Sequence, residues 1–217
     1  MNSLVAPSIS EVGLQEPVKA RDLEFRVSTG SAVRALISSG HYSGKCPPST
    51  YYFGAYYNDV LLGGLAFRKP SLPKIANGYG VDLELSRLFI DDIAGRNSES
   101  RFIGWALRYL KKHTDTRAVI SYADPFYGHV GTIYKAANFE YLGLEKGHGT
   151  RLLFVNGEMI QAKTAYDRWG ASGKNLEAIL GVPVEVKVMP KKHVWVRRIA
   201  SPAKSNAQYT GIHHVNT

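Results

Sequence analysis

The order of apolar and polar positions divides the chain into alternating runs, striped runs at helical spacing, and loops marked by glycine and proline. Leu23, Phe25 and Val27 alternate with Glu24, Arg26 and Ser28, which predicts a half-buried first strand. Gly30-Ser31 is the expected cap of a short helix through Ile37 that ends at Gly40. His41 to Lys45 is then a polar loop, closed by Pro47-Pro48. Tyr51–Tyr56 and Val60–Phe67 read as strands joined by a turn at Asn58-Asp59. Arg68 to Gly80, with its prolines and glycines, is expected to be a loop, and Leu83–Ile90 returns to strand. From about Ser98 to Lys112, Phe102, Trp105, Ala106, Tyr109 and Leu110 recur at helical spacing, with Arg101, Arg108, Lys111 and Lys112 on other faces. Ala118 to Asp124 predicts a buried strand stopped by Pro125, which lacks a ladder donor and biases its predecessor toward extended geometry. Gly128 and Gly131 open a loop around His129, a helix is expected over Thr132–Asn138, and Tyr141–Gly143 and Arg151–Val155 read as strands.

After Val155 the character changes. Gln161–Trp169 and Asn175–Leu180 read as helices, Val182–Val188 and Val194–Ile199 as strands. The expected organisation is a loose arm at 1–21, a core over 22–156, a basic extension packed on it over 157–200, and a tail at 201–217. The fold class is α/β (α+β), with a mixed central sheet flanked by helices.

Composition narrows the function. With 217 residues, 44% hydrophobic and 21% charged, the chain can bury a real core. Its single cysteine, Cys46, rules out an internal disulfide framework and a zinc site built on several thiolates. Cys46 has no evident activating neighbour that would make it a nucleophile. No basic leader and no apolar run of membrane-spanning length is present, so a soluble, cytoplasmic protein without a membrane partner is expected. The net charge of +9 favours a polyanionic partner. From Val186 onward there is no carboxylate side chain, and Lys191, Lys192, Arg197 and Arg198 are the expected phosphate-contacting residues on double-stranded DNA. A merely solvated basic face is the plain alternative.

Polar side chains at the carboxyl end of a buried strand, facing a loop and a helix start, are where open α/β sheets bind ligands. Ser121, Asp124, His129 and Tyr134 are therefore candidates for one site. Strict alternation puts Ser121 and Asp124 on opposite faces unless a bulge intervenes. A strand-end carboxylate capping the next loop is the structural alternative for Asp124, and helix packing on the sheet is the alternative for Tyr134.

The order of elements resembles the GCN5-related acyltransferase fold, in which a splay between the fourth and fifth strands holds acyl-coenzyme A. The resemblance implies that the pyrophosphate rests at the start of the long helix, here Gly95-Arg96-Asn97-Ser98-Glu99-Ser100. Asn97, Ser98 and Ser100 stand where that fold's phosphate loop has small glycines. A helix capped by Ser98 with no ligand is the alternative.

Leu85-Ser86-Arg87-Leu88, Asn97 with Ser98 to Phe102, Ser121-Tyr122-Ala123-Asp124, and Gly128-His129-x-Gly131-x-x-Tyr134-x-Ala136 together resemble the phage Mom family of DNA-modification proteins. His41-Tyr42 fits the same family's amino-terminal motif, and the likeness runs from about Leu23 to Val196. It implies addition of a methylcarbamoyl group to adenine N6 in DNA, protecting it from restriction. Acetyl-coenzyme A and iron are the implied cofactors. On that resemblance Asp124, Ser121, Tyr42 and Tyr134 are the catalytic candidates, and Arg87, Asn97, Ser98 and Ser100 the cofactor-binding ones. His41, Tyr42, Asp124 and Tyr134 are the implied iron ligands. A base acted on at N6 must leave the stack and be held by aromatics, for which Tyr42, Tyr51, Tyr52, Tyr122, Phe126, Tyr127 and Tyr134 are the supply. Rival readings are an ordinary coenzyme A-dependent N-acetyltransferase on a small-molecule or protein amine, and a non-catalytic basic DNA-binding protein on the same scaffold. A homodimer is compatible with either.

Overall fold

Strand pairing in the computed structural model, which describes residues 16–146 and 151–199, gives two sheets. Most of the expected arm and the expected tail at 201–217 lie outside the described residues. In chain order the strands are β1 (Glu24–Val27), β2 (Tyr51–Tyr57), β3 (Val60–Arg68), β4 (Leu83–Ile90), β5 (Ala118–Ala123), β6 (Glu140–Leu144), β7 (Arg151–Val155), β8 (Glu158–Gln161), β9 (Val184–Val188) and β10 (His193–Arg198). The helices are α1 (Gly30–Gly40), α2 (Pro73–Tyr79), α3 (Ser98–His113), α4 (Thr132–Ala136), α5 (Ala162–Trp169) and α6 (Lys174–Leu180). The main sheet runs β1-β2-β3-β4-β5-β10-β6, and β8-β7-β9 form a small second sheet.

The local reasons are ordinary. Thr29, not Gly30-Ser31, caps α1, its side chain accepting the Ala32 N–H. Asn58 and Asp59 both take positive φ, the turn geometry that matches strand twist in a tight hairpin. Phe102, Ile103, Ala106 and Leu110 of α3 are fully buried against the main sheet, each large one contributing about 1.5–3 kcal/mol of apolar burial. The expected loop at 68–80 contains α2: Pro73 occupies the first turn and Gly80 closes it in the left-handed region. The expected amino-terminal arm is tied down at its end, where Val18 bridges Ala94 and exchanges backbone hydrogen bonds with Ile93 and Gly95.

The expected carboxy-terminal extension divides into two parts. β7, β8, β9, α5 and α6 enclose a separate small core of Leu153, Val155, Ile160, Ala165 and Leu176. β10, in contrast, enters the main sheet antiparallel to both β5 and β6. A core ending at 156 is therefore corrected: the last described strand completes the central sheet.

The feature that positions the site lies between β4 and β5. Their parallel ladder covers Leu83↔Val119 and Glu84↔Ile120 and then parts. At the closed end, the Asp82 carboxylate accepts the backbone N–H groups of Arg117 (2.7 Å) and Ala118 (3.0 Å). At the parting, the Ser121 hydroxyl donates to the Leu85 carbonyl at 3.2 Å, satisfying a group that the ladder leaves unpaired. A register shift between β3 and β4 pairs Ala66 with Arg87 and Phe67 with Leu85, so Ser86 is the bulged residue. A bulge bends its strand, which turns the far half of β4 away from β5.

The Trp195 indole of β10 packs against Gly131, at the start of α4. A Cβ there would sit 2.1 Å from Trp195 Nε1, and φ is +89°. Gly131→Ala is expected to cost about 2–4 kcal/mol in urea unfolding. Gly104→Ala, mid-α3 with only Arg108 Nη1 at 3.5 Å, should stabilise by about 0.5–1 kcal/mol. Equal effects at both sites would contradict this packing.

Candidate active site

The parted strands open a cleft of about 790 Å³. Its floor comes from β4 and the end of β5. Its walls are the loop after α1, the β5–α4 loop, α4 and the turn before β10, which bring in His41, Tyr42, Asp124, Tyr127, Tyr134 and Lys192.

Asp124 sits just past the end of β5, so sheet alternation no longer directs it. Its Oδ1 accepts the Phe126 N–H at 3.1 Å, capping a 3-10 turn at Pro125–Tyr127. Its backbone carbonyl accepts from Tyr127 and His129, each at 3.1 Å. The other carboxylate oxygen lies 3.4 Å from Lys192 Nζ. Asp124 is therefore both loop cap and cleft acid. The Lys192 backbone is fixed in turn by Glu145, whose N–H donates to the Lys192 carbonyl at 2.9 Å.

His41 and Tyr42 face Asp124 from the loop after α1. Their ring centroids are 4.1 Å apart with planes tilted by 32°, and the Tyr42 ring lies 4.1 Å from Tyr127, tilted by 34°, and 5.3 Å from His129. Arg87 holds this loop in place, Nε donating to the Lys45 carbonyl at 2.9 Å. Burial pushes the His41 imidazole down to about 4, with help from the charges of Arg87 and His129. Burial also raises the Tyr42 phenol, the Asp124 carboxylate adding to it. Tyr134, buried beneath, is pushed up to about 12 by desolvation, while the neighbouring Ser121 hydroxyl pulls the other way. Burial thus disfavours the charged forms of His41, Tyr42 and Tyr134, while Asp124, Lys192 and Arg87 line the same cleft.

Not every expected residue arrives. Ser121 is fully buried, its hydroxyl donating to the Leu85 carbonyl, and it is not among the residues that line the cleft. Arg87 is mid-strand and lines the cleft; Asn97, Ser98 and Ser100 do not. The helix cap is Asn97, at φ 69°, with no side-chain cap bond. Ser98 is buried with Oγ donating to the Gly95 carbonyl, and the Ser100 hydroxyl donates to Asn97. Glu99 and Asp92 line the cleft at this end. Cys46 is half-buried against α1, its thiol raised by burial, which makes it a poor nucleophile.

The basic quartet is split. Lys191 and Lys192 precede β10 at the cleft, whereas Arg197 and Arg198 lie at its other end, about 15–20 Å away along the strand. There Arg197 Nη1 donates to Asn138 O at 2.8 Å and Arg198 reaches the Gly80 carbonyl at 3.4 Å. The Lys192–Asp124 pairing had no sequence signal, since it depends on β10 lying beside β5. Among the described residues no three His, Cys, Asp or Glu side chains gather at metal-binding distance. No helix among them is long and apolar enough to cross a membrane.

The depressed imidazole has a measurable sign. Unfolded His41 binds a proton near pH 6.5 and folded His41 only near 4, so stability is fully present above pH 6.5 and falls as pH drops toward 4. With the ring half exposed, the total should be no more than about 1–2 kcal/mol. His41→Gln, unfolded in urea with chelator present, should lose that part of the slope. An unchanged slope would place the ring in water.

Comparison with known proteins now adds identity. The Mom protein family matches residues 22–213. A methylcarbamoylase, Mom of Escherichia phage Mu, is 31% identical over 170 residues, which span 71% of this chain and 68% of that protein. Among solved structures, the ribosomal-protein-S18-alanine N-acetyltransferase from Escherichia coli aligns with a TM-score of 0.50 at 6% identity, covering 84% of this chain and 97% of that one. An N-acetyltransferase from Staphylococcus aureus Mu50 aligns at 0.48 and 12% identity, over 82% and 97%. The fold is thus N-acetyltransferase-like, and the chain belongs to the Mom protein family of transferases.

Proposed function

We propose that this chain adds a methylcarbamoyl group to the exocyclic N6 of adenine in double-stranded DNA. The observation that carries the reading is the convergence of Asp124, Lys192, Tyr42 and Tyr134 on one aromatic-rimmed cleft. The match to a methylcarbamoylase supports the chemistry. Adenine N6 is the major-groove donor by which proteins read that base, so a bulky group there blocks restriction enzymes.

The N6 lone pair is conjugated with the purine ring and attacks poorly. Asp124 Oδ2 is placed to take the N6 proton as N6 bonds to the carbonyl carbon, the bond from that carbon to its carrier (the coenzyme A sulfur, leaving as thiolate) breaks, and Lys192 offsets the Asp124 charge. The Tyr42 phenol, kept protonated by burial, donates to the oxygen that gains negative charge. Tyr134 supplies a fixed hydroxyl behind them. Ser121 holds Tyr134, and Arg87 holds the loop that carries Tyr42.

Acyl-coenzyme A suits the fold. The first turn of α3 has no side-chain cap, leaving backbone N–H groups for a pyrophosphate, although Glu99 and Asp92 stand beside it. A plain acyl group is not a methylcarbamoyl group: a nitrogen must lie between carbonyl and methyl. Iron, which the family resemblance implies, would supply the redox chemistry for that insertion. Asp124, His41, Tyr42 and Tyr134 would hold it, the two phenols giving up their protons to do so, although among the described residues no three His, Cys, Asp or Glu side chains gather at metal-binding distance.

The test is mass spectrometry of nucleosides from plasmid DNA of iron-replete cells expressing the protein. Wild type should yield a modified deoxyadenosine, reduced about 100-fold or more by Asp124→Asn. Lys192→Met should lower the yield about tenfold, with partial rescue by Lys192→Arg. Unmodified adenine with tight coenzyme A binding would indicate an ordinary N-acetyltransferase. DNA binding without modification, the same in Asp124→Asn, would indicate a non-catalytic binder.

A further inference from the structure

Resting on the DNA-modification reading, this inference concerns how an adenine leaves the duplex to reach the cleft. A base inside a paired stack cannot present N6 to Asp124, so it must rotate out, and the vacated stack favours an apolar substitute. The β5–α4 loop carries adjacent aromatics set almost at right angles, Phe126 and Tyr127, with centroids 4.9 Å apart and planes at 84°. Tyr127, 40% exposed, lines the cleft with its ring 4.1 Å from that of Tyr42 and tilted 34° to it. Phe126 lies outside the cleft lining and is 49% exposed.

The platform is rigid. Pro125 fixes φ, Asp124 accepts the Phe126 N–H through its side chain and the Tyr127 and His129 N–H groups through its carbonyl, and Gly128 closes the turn at φ +75°. A half-exposed phenylalanine on so stiff a turn contributes little to folding, since much of its apolar surface stays in water. Charge favours a polyanion at this rim. Lys192 lines the same cleft, Lys191 stands exposed beside it, and no carboxylate side chain follows Val186.

The geometry points to a division of labour. Tyr127, backed by Tyr42, is the shelf on which the extruded purine stacks, and Phe126 is the wedge that enters the gap in the duplex. Phe126 is thus a positioning residue, acting on the DNA and not on the reacting atoms.

A mismatched adenine is already partly unstacked, so an enzyme that extrudes its base binds such a duplex more tightly than a paired one. Wild type should show a preference of about tenfold by fluorescence anisotropy at fixed salt. Phe126→Ala should reduce that ratio to about one while its salt-dependent binding to paired duplex persists, which also reports a folded protein. Phe126→Leu should keep most of the preference. The same proteins are assayed for modified plasmid adenine, where Phe126→Ala should fall about tenfold or more. A wild type that modifies adenine without preferring the mismatch, or a Phe126→Ala that keeps the wild-type ratio, overturns the wedge. A wild type that leaves adenine unmodified overturns instead the reading on which the wedge depends.

Discussion

The parting of β4 from β5 is the constraint on which the rest depends. Two neighbouring parallel strands normally exhaust each other's backbone groups, and leaving them unpaired in a buried sheet is costly. This chain opens the gap by specific means. Asp82 clamps the closed end, the Ser86 bulge bends β4, and the Ser121 hydroxyl takes the Leu85 carbonyl. Ser121 and Ser86 are both buried, and the Ser86 hydroxyl likewise donates to a sheet carbonyl, that of Ala66. Polar residues in the strand interior are thus the fittings of the gap.

Once the gap exists, loops from distant parts of the chain can line it, and their electrostatics divide cleanly. Burial suppresses ionisation of His41, Tyr42 and Tyr134. Among the charged residues of the cleft, Asp124, Lys192 and Arg87 are each tethered by backbone contacts of their own or their neighbours. The site therefore offers fixed hydrogen-bond donors beside the Lys192-paired Asp124 carboxylate, with Asp92 and Glu99 at the α3 end of the cleft.

Much of the fold was legible because periodicity is local. β4, α3 and β5 follow from apolar stripes and from Pro125, and Asp124, Tyr42 and Tyr134 do meet at one cleft. What failed to show was non-local or ambiguous. α2 is short, contains Gly78 and sits among prolines, so loop chemistry outweighs its helical spacing. The place of β10 between β5 and β6 has no signature within its own six residues, and with it went the meeting of Lys192 and Asp124. Ser98 and Ser100 look like phosphate ligands by position, yet short hydroxyl side chains at a helix start readily bond nearby carbonyls, and here they do.

The central place of β10 also bears on the making of the protein. Synthesis proceeds at roughly 5–20 residues per second, and the amino-terminal parts of a chain are free to fold first. Here the strand beside β5 is the last one described, and a small self-enclosed sheet is made before it. While the nascent chain waits, β5 and β6 have a vacant lane between them, an invitation to wrong partners. The cleft is complete only when this last described strand lies beside β5 and sets Lys192 next to Asp124.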